Sequence, residues 1–274
     1  MFRRARTRRI ATYAAAAGDA SPVALVAAAW PMQSHGHSPY PGRAARIHLM
    51  GSAEPTGPVR TGVLSREEAV SHLVWAAESR DDETSRHIDQ MSRYCELLAI
   101  RAGLGPERAG MIRRATRLHD IGKVCIPRNI LLKPERLTAA EFEIVQRHTE
   151  IGHRILAGSG VEWLEMAAVV ALTHHEHYDG CGYPNHLSGS EIPFVGRIAA
   201  IADVFDALTS RRPYKSALPT ERAVDIMLEG RGKQFDPSAL DLFLRSLDEV
   251  LDIRDEAADR LVRSPRGTLV SARG

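Results

Sequence analysis

Aromatic side chains make up only 5% of the 274 residues, and cysteines number three. A chain so poor in rings offers little surface for stacking single-stranded nucleic acid. Cys95, Cys125 and Cys181 are odd in number, far apart and form no C-x-x-C pair, so neither a disulfide framework nor a zinc ribbon is expected, and a reducing, cytoplasmic setting fits. Missing too is any apolar run of the roughly 18 residues that would cross a bilayer; the nearest stretch, 22–30, is too short. No sign of charge dominates either, since 36 Lys and Arg face 34 Asp and Glu for a net +2. That balance calls for no nucleic-acid polymer, although Arg3, Arg4, Arg6, Arg8 and Arg9 crowd the start. Gly18, Asp19 and Pro22 interrupt the alanine-rich stretch that follows, and no cleaved signal peptide is expected.

What is present has the balance of a globular protein, 44% apolar and 26% charged. Residues 1–62 are rich in Ala, Arg, Gly, Pro and Ser with no sustained period and are expected to form an irregular extension. Order begins at Ser65, which with Glu68 fits a capping box ahead of a helix over 66–79. Helical spacing of His87, Met91, Cys95 and Leu98 predicts a helix over 83–102 with Gly103 at its C-cap, and Pro106 opens another toward His119. A second capping box, Thr138 with Glu141, starts a helix that carries His148 and continues to Leu156. Further helices are predicted over 162–175, 193–209, 220–229 and 237–252, the last begun by Asp236 as cap and Pro237 at the first helical position. No strand period stands out, so the fold class is all-α. The domain division that follows is an extension over 1–62, a catalytic domain over 63–252, and a helix end with tail over 253–274.

The chemistry lies in a set of polar residues carried by these helices. His119 and Asp120 adjoin at a helix end, where an imidazole and a carboxylate can face one divalent ion, and alone such a pair says little. Glu83 and His87 stand four apart on one helix face, and His148 lies on a later helix. His174 and His175 close an apolar stretch in which unpaired imidazoles would be costly. Asp203 is embedded in an apolar helix, where a carboxylate is seldom found unless paired or bound to a cation. Mixed imidazole and carboxylate ligands suit Fe, Mn or Zn, and the lack of thiolate spacing favours an open catalytic centre over a structural zinc. The number of ligands points to at least two ions, and a two-metal centre is suited to hydrolysing a phosphate ester. Lys123 and the basic segment of Arg211, Arg212 and Lys215 would supply cations for phosphate.

These residues fall into motifs: HDIGK at 119–123 followed by Ile126 and Pro127, then HHEHYDGCGYP at 174–184. RDDET at 80–84 with His87, Arg147 with His148, Ala202 with Asp203, RPYK at 212–215 and Phe235 with Asp236 and Pro237 complete the series. Together they resemble the HD-GYP domain over roughly residues 64–250. The resemblance implies an HD-domain helix bundle with a GYP lid loop, and a phosphodiesterase that linearises cyclic di-GMP to pGpG, in some members onward to GMP. It also implies a centre of two or three iron or manganese ions held by His87, His119, Asp120, His148, His174, His175 and Asp203, with Glu83 as the added carboxylate of three-metal members. His119, Asp120 and Lys123 would be catalytic, while Lys123, Asp206, Arg212 and Lys215 would contact phosphate or guanine and Tyr183 would lie in the lid. Signalling proteins or a second copy of the chain are the partners such a domain would meet. Two other readings stand beside it: hydrolysis of a different nucleotide or cyclic dinucleotide, and a catalytically silent module that binds the dinucleotide or a protein.

Overall fold

The computed structural model describes residues 85–210 and 216–263. The expected N-terminal extension and the helix at 66–79 lie outside the described residues. Glu83, Arg212 and Lys215 lie outside them as well.

The described residues fold as α-helices: α1 (Ser85–Arg101), α2 (Pro106–Thr116), α3 (Arg128–Leu131), α4 (Ala139–Gln146), α5 (His148–Leu156), α6 (Glu162–Thr173), α7 (Phe194–Thr209), α8 (Thr220–Glu229), α9 (Pro237–Arg245) and α10 (Leu247–Arg263). A 3-10 turn, Ile121–Cys125, follows α2. No strand forms among the described residues, where β-pairing is limited to isolated bridges such as Asp179 with Ser188. The all-α expectation therefore holds.

The core is organised around α7, in which Phe194, Ile198, Ile201, Ala202 and Phe205 are all buried. A helix apolar on every side has no face for water and must be enclosed. Here α1, α6, α8 and α9 pack against it, and α2 and α5 complete the layer through α6. Asp236 caps α9 by accepting from the backbone N–H of Ser238 at 2.8 Å, with Pro237 at the first turn. Its other oxygen pairs with the buried guanidinium of Arg197, which ties α7 to α9.

Two predicted helices are broken in two. The segment after Thr138 divides at Arg147, beside the point where Thr149 Oγ1 donates to the Gln146 carbonyl at 2.9 Å. The segment after Pro237 divides at Ser246, whose hydroxyl donates to the Leu242 carbonyl at 3.0 Å. Ser and Thr hydroxyls compete for backbone groups in this way and bend helices. A third expectation shifts by two residues: α6 ends at Thr173, so that His174 is its C-cap and His175 lies in the following turn.

Candidate metal centre

Imidazoles and carboxylates from five separate segments meet in one place. Asp120, His148, His174 and His175 offer ligand atoms that all lie within 4.8 Å of one another, and so do His87, His119 and Asp203. The two groups adjoin, for His119 Nε2 is 3.1 Å from Asp120 Oδ2 and the His119 and His174 rings are 5.2 Å apart. All the described members of the sequence-predicted ligand set are thus brought together.

The backbone decides which nitrogen of each ring faces inward. His119 Nδ1 lies 3.0 Å from the Thr116 carbonyl, His148 Nδ1 2.7 Å from that of Val145, and His174 Nδ1 3.0 Å from that of Val170. A carbonyl can only accept, so each Nδ1 carries the proton and each Nε2 presents a lone pair. Two of these nitrogens, on His148 and His174, stand 3.4 Å apart. Burial lowers the pKa of His174 and lowers that of His175 well below the ordinary range, with His174 adding to the effect on His175. Neutral imidazoles aimed at one another beside a carboxylate form a donor set that suits a divalent cation, and the residues therefore fit a metal.

Asp120 sits at the hinge between the two groups. Its Oδ1 is 3.0 Å from His148 Nε2, and its Oδ2 receives Lys123 Nζ at 2.7 Å. Burial alone would raise its pKa, but the Lys123 ammonium beside it holds the carboxyl well below the usual carboxylate range. Gly122, between Asp120 and Lys123, is required by closeness, because a Cβ there would come within 1.9 Å of the His148 carbonyl oxygen. The HDIGK turn can therefore lie directly on the start of α5.

Asp206 departs from the expected role of a substrate contact. It is 1% exposed, and its Oδ2 accepts from His87 Nδ1 at 2.7 Å and from Ser210 Oγ at 3.1 Å. It sits behind the His87 ring of the candidate cluster instead, orienting it toward Asp203, whose Oδ1 is 3.5 Å from His87 Nε2. Spacing explains this, since Asp206 follows Asp203 by three positions and shares its side of α7.

The lid loop has its own anchors. Gly180 takes φ of 82°, as a glycine turn should, whereas Gly182 is needed for proximity: a Cβ would lie 2.1 Å from the His177 nitrogen. The Tyr183 ring stacks on His175, with centroids 4.8 Å apart at 26°. Tyr183, expected in the lid, thus has one ring face already covered by His175.

An HD domain family profile matches residues 71–239, more than half of the chain. The chain belongs to the HD domain family. The chain is 44% identical over 193 residues to 3′3′-cGAMP-specific phosphodiesterase 2 of Vibrio cholerae, covering 70% of this chain and 37% of that protein. It is 45% identical over 178 residues to the cyclic di-GMP phosphodiesterase response regulator RpfG of Xanthomonas campestris, covering 65% and 47%. It thus spans less than half the length of these relatives. The solved structure of Bd1817, an HDG"Y"P protein of Bdellovibrio bacteriovorus, superposes with a TM-score of 0.50 at 17% identity, covering 66% of this chain and 60% of that one, which bears on the fold alone.

One further residue of this HD domain escaped the sequence reading. Glu176 is 2% exposed and accepts the backbone N–H of Asn185 at 2.7 Å and of Leu187 at 3.0 Å, clamping both sides of the lid turn. Its place directly after the histidine pair was the signal available for it.

Proposed function

We propose that this chain hydrolyses cyclic di-GMP to linear pGpG at the paired His/Asp clusters, lowering a bacterial second messenger, and in a further step can release GMP. The observation that carries the reading is the pair of adjoining clusters whose imidazole tautomers are set by backbone carbonyls and by Asp206. Two neighbouring donor sets match two divalent ions, for which iron or manganese best suits mixed imidazole and carboxylate ligands. Glu83 would admit a third. Such ions supply charge neutralisation at an attacked phosphoryl group and acidify water near neutral pH.

The protein's own contribution is positional. Asp120 and His119 join the two clusters, and Lys123 holds positive charge against Asp120 where a phosphodiester oxygen would approach. Arg212 and Lys215 are assigned to the phosphates, and Tyr183 braces His175 from the lid. The catalytic unit is taken as 63–252, between an extension and a C-terminal tail. No helix among the described residues is long and apolar enough to cross a membrane. With three free cysteines among the described residues, we assign the chain to the cytoplasm.

A second substrate reading, 3′3′-cGAMP, is favoured by the Vibrio cholerae relative at 44% identity. The deciding experiment is turnover by the metal-loaded full chain on cyclic di-GMP, 3′3′-cGAMP, cyclic di-AMP and nucleoside triphosphates. Cyclic di-GMP should give a linear dinucleotide fastest, and His119→Ala and Asp120→Ala should each abolish the reaction. Preference for a nucleoside triphosphate, or tight binding of the dinucleotide without cleavage, would sink the reading.

A further inference from the structure

Helix α4 is built unlike its neighbours. None of its side chains is buried, so it is not held by the apolar stripe that normally docks a helix. Polar contacts hold it instead. Thr138 and Glu141 form a capping box at its start, and Lys133 Nζ reaches both oxygens of Glu141 at 2.8 and 2.7 Å. On this helix Phe142 keeps 47% of its surface exposed. Its ring stands 6.1 Å from that of Tyr183 at 80°, and Tyr183 in turn stacks on His175 of the metal cluster. An exposed aromatic ring therefore lies two ring contacts from a ligand of the candidate centre, on a rigidly capped support that the core does not need.

We propose that Phe142 is a base-stacking platform, holding one purine of the cyclic dinucleotide while its phosphodiester lies at the metal cluster. The inference rests on the function proposed above, because only a substrate with bases flanking its reacting phosphate would use such a ring. A purine is the occupant that fits. A base stacks on an open aromatic face without needing a hydrogen-bond partner, and the face is a single ring continuous with the centre through Tyr183, not a broad apolar patch of the kind that docks a protein. Tyr183 has one face spent on His175, so its edge can border the base while Phe142 supplies the flat surface.

The test compares wild type, Phe142→Ala and Phe142→Trp as metal-loaded full chains on two substrates: cyclic di-GMP, and bis(p-nitrophenyl) phosphate, which has no purine. Phe142→Ala should raise KM for cyclic di-GMP by about tenfold at similar kcat, as expected when one base stack is lost. It should leave turnover of the purine-free diester and the melting temperature unchanged. Phe142→Trp should restore KM, and its indole fluorescence should be quenched on adding the dinucleotide. An unchanged KM in Phe142→Ala overturns the proposal, as does an equal fall on both substrates, which would make α4 merely structural. A wild type that cleaves the purine-free diester but no cyclic dinucleotide instead overturns the functional reading, and this inference falls with it.

Discussion

Replacing Asp206 by alanine should weaken metal binding before it affects anything else. The carboxylate accepts from His87 Nδ1 at 2.7 Å, is 1% exposed, and so fixes both the ring's tautomer and its direction toward Asp203. Groups that orient a metal-ligating histidine from behind are typically worth 10–100-fold in affinity, or about 1.4–2.7 kcal/mol. Asp206→Asn keeps a carbonyl oxygen for the same hydrogen bond but loses its charge, so about half of that free energy should remain. The loss should also be local. The cluster of His87, His119 and Asp203 should lose its ion while that of Asp120, His148, His174 and His175 keeps one. Competition with a graded series of chelators, together with metal analysis of the recovered protein, measures both effects, and a melting curve in the absence of metal checks that the variant is folded. Unchanged metal affinity combined with a higher KM for the dinucleotide would refute the reasoning and return Asp206 to the substrate-contacting role implied by the family resemblance.

Three further outcomes are expected. Gly122→Ala places a methyl 1.9 Å from the His148 carbonyl oxygen and 2.6 Å from the Gly152 nitrogen, so the HDIGK turn must move off α5; metal stoichiometry measured after desalting should fall even where the far-ultraviolet spectrum stays helical, and full retention of metal would contradict the packing. Glu176→Ala removes the acceptor of two lid N–H groups and should cost about 1–3 kcal/mol in urea unfolding, whereas Glu176→Gln should cost less because one oxygen remains; no loss in Glu176→Ala would show that the clamp contributes little. Metal-stripped protein should lose stability as pH falls below about 6.5, because the unfolded chain then protonates His174 and His175, which burial keeps neutral in the fold. The slope is up to about 1.4 kcal/mol per pH unit for each ring. Denaturation midpoints from pH 7.5 to 5.0 test this, and a flat or rising midpoint across that range would contradict it.

The helices around the centre were legible in the chain because their signals are local. The capping box of Thr138 with Glu141 and the cap of Asp236 with Pro237 depend on residues within one turn, and the enclosed α7 announces itself by apolar residues on every side. The candidate ligands were legible for a different reason: imidazoles and carboxylates in apolar surroundings are too costly to be left uncompensated. Other features needed the tertiary structure. The breaks at Arg147 and Ser246 turn on a hydroxyl choosing a backbone carbonyl over water. The roles of Asp206 behind His87 and of Gly182 against His177 depend on segments far apart or folded back on themselves. By itself the sequence determined which residues must be sheltered, capped or neutralised, since those costs attach to residue types and near neighbours. Which oxygen faces which ring nitrogen, and which ring stays open beside the centre, was decided only when distant helices packed, because hydrogen bonds and steric contact act over a few ångströms of space and take no account of separation along the chain.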